Sequence, residues 1–97
     1  MSEQPPDLSQ LDPTHRAVYD RLRRIEGQVR GLQKMVTDGR GCNEVLTQLS
    51  AVMSATKRVA SLVAYCSMSE RVTDAVREGK DPDAAVADLL DLLARLP

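Results

Sequence analysis

Apolar residues recur at alternating steps of four and three along most of the chain. Val18, Leu22, Ile25, Val29, Leu32 and Val36 form one row, and Cys42, Val45, Leu49, Val52, Thr56, Val59, Val63 and Cys66 form a second. That spacing puts a single stripe on the side of a helix that packs lengthwise on another helix. Val86, Leu89, Leu90, Leu93 and Leu96 make a third, shorter stripe. The punctuation between the rows agrees with them. Asp12-Pro13 and Asp81-Pro82 each offer an N-cap followed by a proline at the first helical position, and Gly39-Arg40-Gly41 and Gly79 are stop signals. No Pro or Gly falls between Cys42 and Glu78. The pattern predicts helices over about 13–38, 42–78 and 82–95, an all-α chain. Residues 1–11, with Pro5 and Pro6, read as a polar, disordered arm ahead of a single domain over 12–97.

The middle helix is the longest, on the order of 55 Å at roughly 1.5 Å per residue, too long for a lone compact domain of this size. A second apolar row, Leu46, Met53, Ala60, Leu62 and Ala64, flanks its first, so it needs partners on more than one side. Composition sharpens this point. The 97 residues include no Trp or Phe and two tyrosines, Tyr19 and Tyr65, leaving Leu, Val, Met and Ala to build the core. Such a core on long thin helices buries too little in a monomer, and oligomerisation is the remedy. The first two helices are expected to form an antiparallel hairpin, and two hairpins an antiparallel four-helix bundle. The cysteines stand about 36 Å apart along the helix axis and cannot meet within one chain. Antiparallel pairing of two long helices sets Cys42 beside Cys66 of the partner subunit.

Charge is segregated. Residues 15–40 carry seven basic side chains against three acidic ones, whereas residues 70–97 carry seven acidic against four basic. A local, Arg-rich excess on one helix suits phosphate contact, against the bland alternative of a solvated helix face. No apolar run approaches the roughly 20 residues of a membrane span, and no signal peptide is visible, which points to the cytoplasm and away from membranes. There is no Ser-His-Asp set, no phosphate-cradling loop and no buried carboxylate pair, so an enzyme is not expected. His15, in the first turn of the first helix, is a candidate ligand set against the commoner role of a capping or exposed residue. The cysteines are either apolar fillers of a seam or a functional pair. Cys42 stands at a helix start beside a glycine turn, where a filler is least needed. Two thiols at an interface bind a soft ion such as Cu(I) or become linked on oxidation.

The string Arg21-Leu22-Arg23-Arg24-Ile25-Glu26-Gly27-Gln28-Val29-Arg30-Gly31, followed by Cys42 and by Val45-Leu46-Thr47-Gln48-Leu49-Ser50-Ala51-Val52, closely resembles the copper-sensing operon repressor family (CsoR/RcnR type) over about residues 13–95. The resemblance implies an antiparallel four-helix-bundle dimer, doubled into a dimer-of-dimers tetramer. It implies a repressor that binds double-stranded operator DNA and releases it when a ligand occupies an inter-subunit site. Cys42 corresponds to the family's sensor cysteine. The His and second Cys that complete the copper set correspond to Ser67 and Arg71, and the residue before Cys42 is Gly41 where an aromatic is frequent. Cys66 lies one position before the family's His, about 100° round the helix, and local rotation decides whether it faces Cys42 of the partner subunit. The family's DNA-contacting arginines match Arg21 and Arg58, with Arg23, Arg24, Arg30 and Lys57 nearby as further phosphate contacts.

The expectation is therefore a DNA-binding repressor switched by chemistry at Cys42 and Cys66 of the partner subunit. Thiol modification by reactive sulfur or an oxidant ranks slightly ahead of Cu(I), because the histidine is lost. The alternatives are a Cu(I) buffer or chaperone bundle that ignores DNA, and a constitutive DNA-binding oligomer without an effector.

Overall fold

The computed structural model describes residues 4, 5 and 7–95. They form a single turn of 3-10 helix, Leu8–Gln10, and three α-helices: α1 (Pro13–Thr37), α2 (Cys42–Arg77) and α3 (Pro82–Ala94). There is no strand among the described residues, and none of these helices is long and apolar enough to cross a membrane. The helices start where the sequence pattern puts them. Each stops one residue earlier than expected, with Asp38 and Arg95 serving as C-caps of α1 and α3. Of the stretch read as a disordered arm, residues 1–3 and 6 lie outside the described residues. The 3-10 turn within it is capped by Asp7, whose carboxylate accepts from the Ser9 backbone N–H at 3.0 Å and the Ser9 hydroxyl at 2.6 Å.

Local chemistry sets each boundary. The Asp12 carboxylate accepts from the His15 backbone N–H at 2.7 Å, satisfying an otherwise orphaned donor ahead of Pro13. Asp81 repeats the device on Asp83 at 3.0 Å, ahead of Pro82. At the C-terminus of α1, Gly39 takes φ 72°, a region that favours glycine. Its N–H reaches the Val36 carbonyl and that of Arg40 the Met35 carbonyl, at 3.1 and 2.9 Å. Gly79, at φ 71°, closes α2 in the same way on Val76 and Ala75.

The chain divides between Val59 and Ala60 into two compact units. In the first, α1 packs on the N-terminal half of α2. One concavity joins Val29, Leu32 and Val36 to Val45 and Leu49, and another joins Arg21, Arg24, Ile25 and Gln28 to Ala55 and Arg58. Rising numbers along α1 meet falling numbers along α2, so the hairpin is antiparallel as expected. Val18, Ile25, Leu32 and Met35 of α1 and Val45, Val52, Ala55 and the buried Val59 of α2 are among the shielded positions. Cys42, Leu49, Thr56 and Val63 of the expected seam are exposed, as are Leu22, Val29 and Val36 of the α1 row. The apolar band on α2 is thus wider than one helix can cover, and its inner edge alone is shielded within the chain. In the second unit α3 folds back on the end of α2, burying Ala75 and Leu89 and leaving Val76, Leu90 and Leu92 open.

Gly27 and Gly31 lie inside α1, where each costs about 1 kcal/mol of helix stability relative to Ala. The compensation to look for is close approach of another helix or of a DNA backbone. A Cβ built at either glycine meets nothing within 4 Å in this chain. Gly31→Ala is therefore expected to raise stability by about 1 kcal/mol in denaturant titrations, and a loss would mean that another chain occupies that face.

The Asp12 carboxyl is held below the usual carboxylate value by the His15 backbone N–H and, next, by the His15 ring. A lowered value means that this carboxylate stabilises the fold above the ordinary range and loses its effect as pH falls through the lowered value. Asp12→Ala is expected to lower the melting temperature at neutral pH, with the difference from wild type closing in acid. Circular-dichroism melts at both pH values check this.

Candidate functional site

Helical geometry sorts the basic residues of α1 into two faces. At 100° per residue, Arg21, Arg24, Ile25 and Gln28 share one side, and Arg23, Glu26 and Arg30 share the opposite side. On the first side, Arg21, Arg24 and Gln28 meet Arg58 of α2 around a concavity of about 180 Å³ whose half-buried floor is Ile25 and Ala55. The three guanidiniums are exposed and form no ion pair with the described residues. They make a concentrated positive site built on two packed helices. On the other side, Glu26 Oε1 lies 3.9 Å from Arg23 Nε and 3.8 Å from Arg30 Nη2. These exposed pairs are worth at most about 0.5 kcal/mol each. They nonetheless place a negative charge between the two arginines and weaken their joint pull on a phosphate. Lys57 lies outside the lining of the concavity, one residue before Arg58 and about 100° round α2.

Cys42 is the first residue of α2 and is exposed. The Gly41 carbonyl before it accepts from the Val45 N–H at 3.1 Å, and the Arg40 guanidinium clamps Glu44 across the same turn, Nε donating at 2.8 Å. Cys66 is half-buried, and its thiol donates to Glu70 Oε1 at 3.5 Å, one turn along α2. Neither cysteine is in a disulfide. Ser67 is half-buried, and Arg71 faces a concavity that it shares with Asp74, Glu78 and Lys80. His15 Nδ1 stands 2.9 and 3.0 Å from the two carboxylate oxygens of Asp12, so that nitrogen is engaged at the start of α1.

Of the basic residues expected at a nucleic-acid surface, the fold brings together Arg21, Arg24 and Arg58 and sets Arg23 and Arg30 apart. Two residues escape a reading of the sequence alone. Gln28 carries no charge to draw notice, yet its i+4 and i+7 spacing from Arg24 and Arg21 puts it on their face. Glu70 lies at i+4 from Cys66, the separation that brings side chains together on a helix.

The described residues thus belong to an all-α chain that carries a cleft of guanidiniums and two thiols outside any disulfide. Comparison with known proteins gives that chain its family. The model of the metal-sensitive transcriptional repressor family matches residues 14–95. The copper-sensing transcriptional repressor CsoR of Bacillus subtilis is 42% identical over 78 residues, 80% of this chain and 76% of that protein. The copper-sensing transcriptional repressor RicR of Mycobacterium tuberculosis is 46% identical over 77 residues, 78% and 80% of the two chains. The crystal structure of CsoR with Cu(I) from Geobacillus thermodenitrificans superimposes with a TM-score of 0.74 at 34% identity, over 95% of this chain and 92% of that one. The chain belongs to the family of metal-sensitive transcriptional repressors, which are regulators and not enzymes.

Proposed function

We propose that this chain represses transcription by gripping operator double-stranded DNA through the cleft of Arg21, Arg24 and Arg58, and lets go when chemistry occurs at Cys42 and Cys66 of the partner subunit. The convergence of three guanidiniums without carboxylate partners on one concavity supports this reading most strongly. Phosphates are the ligand such a site suits, and a repressor acts where the chromosome is, in the cytoplasm. The exposed apolar rows of the hairpin, Leu22, Val29 and Val36 with Leu46, Leu49 and Met53, are surface that a second copy covers. Antiparallel pairing of two hairpins into a four-helix bundle, doubled into a tetramer, presents the cleft more than once to a duplex.

The signal is Cu(I) on this reading. It is the ion named for the relatives, and it accepts the low coordination that two thiolates offer. One observation favours a second reading: Ser67 and Arg71 stand where the resemblance places His and Cys, so the histidine-containing copper set is absent. Reactive sulfur that links the two thiols needs no further ligand. His15 contributes to the start of α1 through Asp12.

Two outcomes are expected. In fluorescence anisotropy against the DNA upstream of its own gene, affinity falls steeply with salt. Arg21→Ala or Arg58→Ala reduces the slope of log K against log salt by about 1 for each phosphate no longer neutralised, whereas Arg23→Ala changes it less. A wild-type protein that leaves that fragment unbound would instead be a metal carrier. Cys42→Ala is expected to bind the fragment normally and to ignore both Cu(I) and polysulfide. Normal release from that variant would sink the sensory proposal. Intact mass separates the two signals, since a fixed mass gain joining two chains is incompatible with simple metal binding.

A further inference from the structure

Among the residues lining the arginine cleft, Gln28 is the one uncharged polar side chain. Its amide forms no hydrogen bond with the described residues. A phosphate presents acceptors alone, and three guanidiniums already bring more N–H donors than one phosphate can take. The Gln28 carbonyl therefore has nothing to accept from a phosphate. A glutamine amide carries an acceptor and donors side by side, and its complement is an edge with a donor beside an acceptor. Nucleobases have such edges, and the adenine N6 amino group beside N7 in the major groove is the one an amide matches in two hydrogen bonds.

We propose that Gln28 is a specificity-determining residue that reads an adenine edge in the major groove while Arg21, Arg24 and Arg58 hold the flanking phosphates. This rests on the DNA-binding reading of the cleft and adds sequence selection to it. The half-buried Ile25 and Ala55 lie beneath the cleft between the two helices, so the backbone that carries Gln28 keeps a set position relative to the helix positions of the three arginines. Charge alone cannot supply that selection, because phosphate contacts are the same at every base pair.

The test measures affinity for two duplexes, the fragment upstream of the chain's own gene and a scrambled duplex of the same length and composition. Gln28→Met keeps the length of the side chain and removes the amide, and Gln28→Ala removes both. Wild type is expected to prefer its own fragment. Either variant should cut that preference about tenfold, leaving the scrambled-duplex affinity and the salt slope unchanged. In a scan of A·T→G·C changes across the fragment, at least one change that weakens wild type should be neutral for Gln28→Met. An unchanged preference overturns the proposal. So does an equal loss on both duplexes, which would make Gln28 a support for the arginines. If wild type shows no salt-dependent affinity for either duplex, the DNA-binding reading falls with it, whereas loss of binding in Arg21→Ala beside an unaffected Gln28→Met overturns this inference alone.

Discussion

The constraint that everything else depends on is the shortage of apolar burial within one chain. Only Val59, Ala75 and Leu89 among the described residues are buried, at 7%, 7% and 4% exposure. Large apolar side chains remain in water in both units, with Val36 at 62%, Leu46 at 63% and Val76 at 64%. Burial of apolar surface is the main favourable term in folding, at roughly 25 cal/mol per Å². In the proposed assembly, a chain that leaves this much uncovered gains much of its stability by pairing. Folding and assembly are then one equilibrium, and anything that changes how the copies pair also changes what the shared surface presents.

Within that constraint the fold divides its labour by helix face. The inner edge of the apolar band closes the hairpin, the outer edge is left exposed, and the polar faces carry charge. Arg21, Arg24 and Arg58 owe their convergence to the hairpin itself. Two lie one turn apart on α1, and the third is brought to them by the antiparallel return of α2. Arg23 and Arg30 belong to the same basic segment but straddle Glu26 on the far side. A sequence that is nearly neutral overall, at −1, thereby concentrates positive charge in one place.

Legibility in the sequence follows the range of the interactions. Asp12-Pro13, Asp81-Pro82, Gly39 and Gly79 act within one turn of where they stand, and each helix boundary can be read from them to within a residue. The shielded row is harder. Val45, Leu49, Val52 and Val59 all keep the same spacing, and periodicity cannot tell the edge of an apolar band that faces α1 from the edge that stays exposed. Counting charge along the chain puts the basic residues in one group. Turning the helix through 100° per residue separates Arg21 and Arg24 from Arg23 and Arg30. Gln28 escapes such a count because an uncharged side chain contributes nothing to it. Its place depends on neighbours that only the folded hairpin supplies.

Cys42 and the arginine cleft share α2, yet Cys42 is not among the residues lining the cleft. Arg58 follows it by sixteen positions, about 24 Å of helix axis. If DNA is gripped at the cleft as proposed, a ligand on Cys42 cannot displace it by occupying its site. It shifts the equilibrium only by binding one arrangement of the assembly better than another. The exposed apolar row that begins at Leu46, one turn beyond Cys42, is where such a difference can arise. In the proposed assembly, a thiol bound to a second copy would fix how that row is covered, and the cover would set the spacing between cleft and cleft. A duplex that needs several clefts in register amplifies a small change in that spacing, and a coupling of about 1–3 kcal/mol corresponds to a roughly 5- to 150-fold change in affinity.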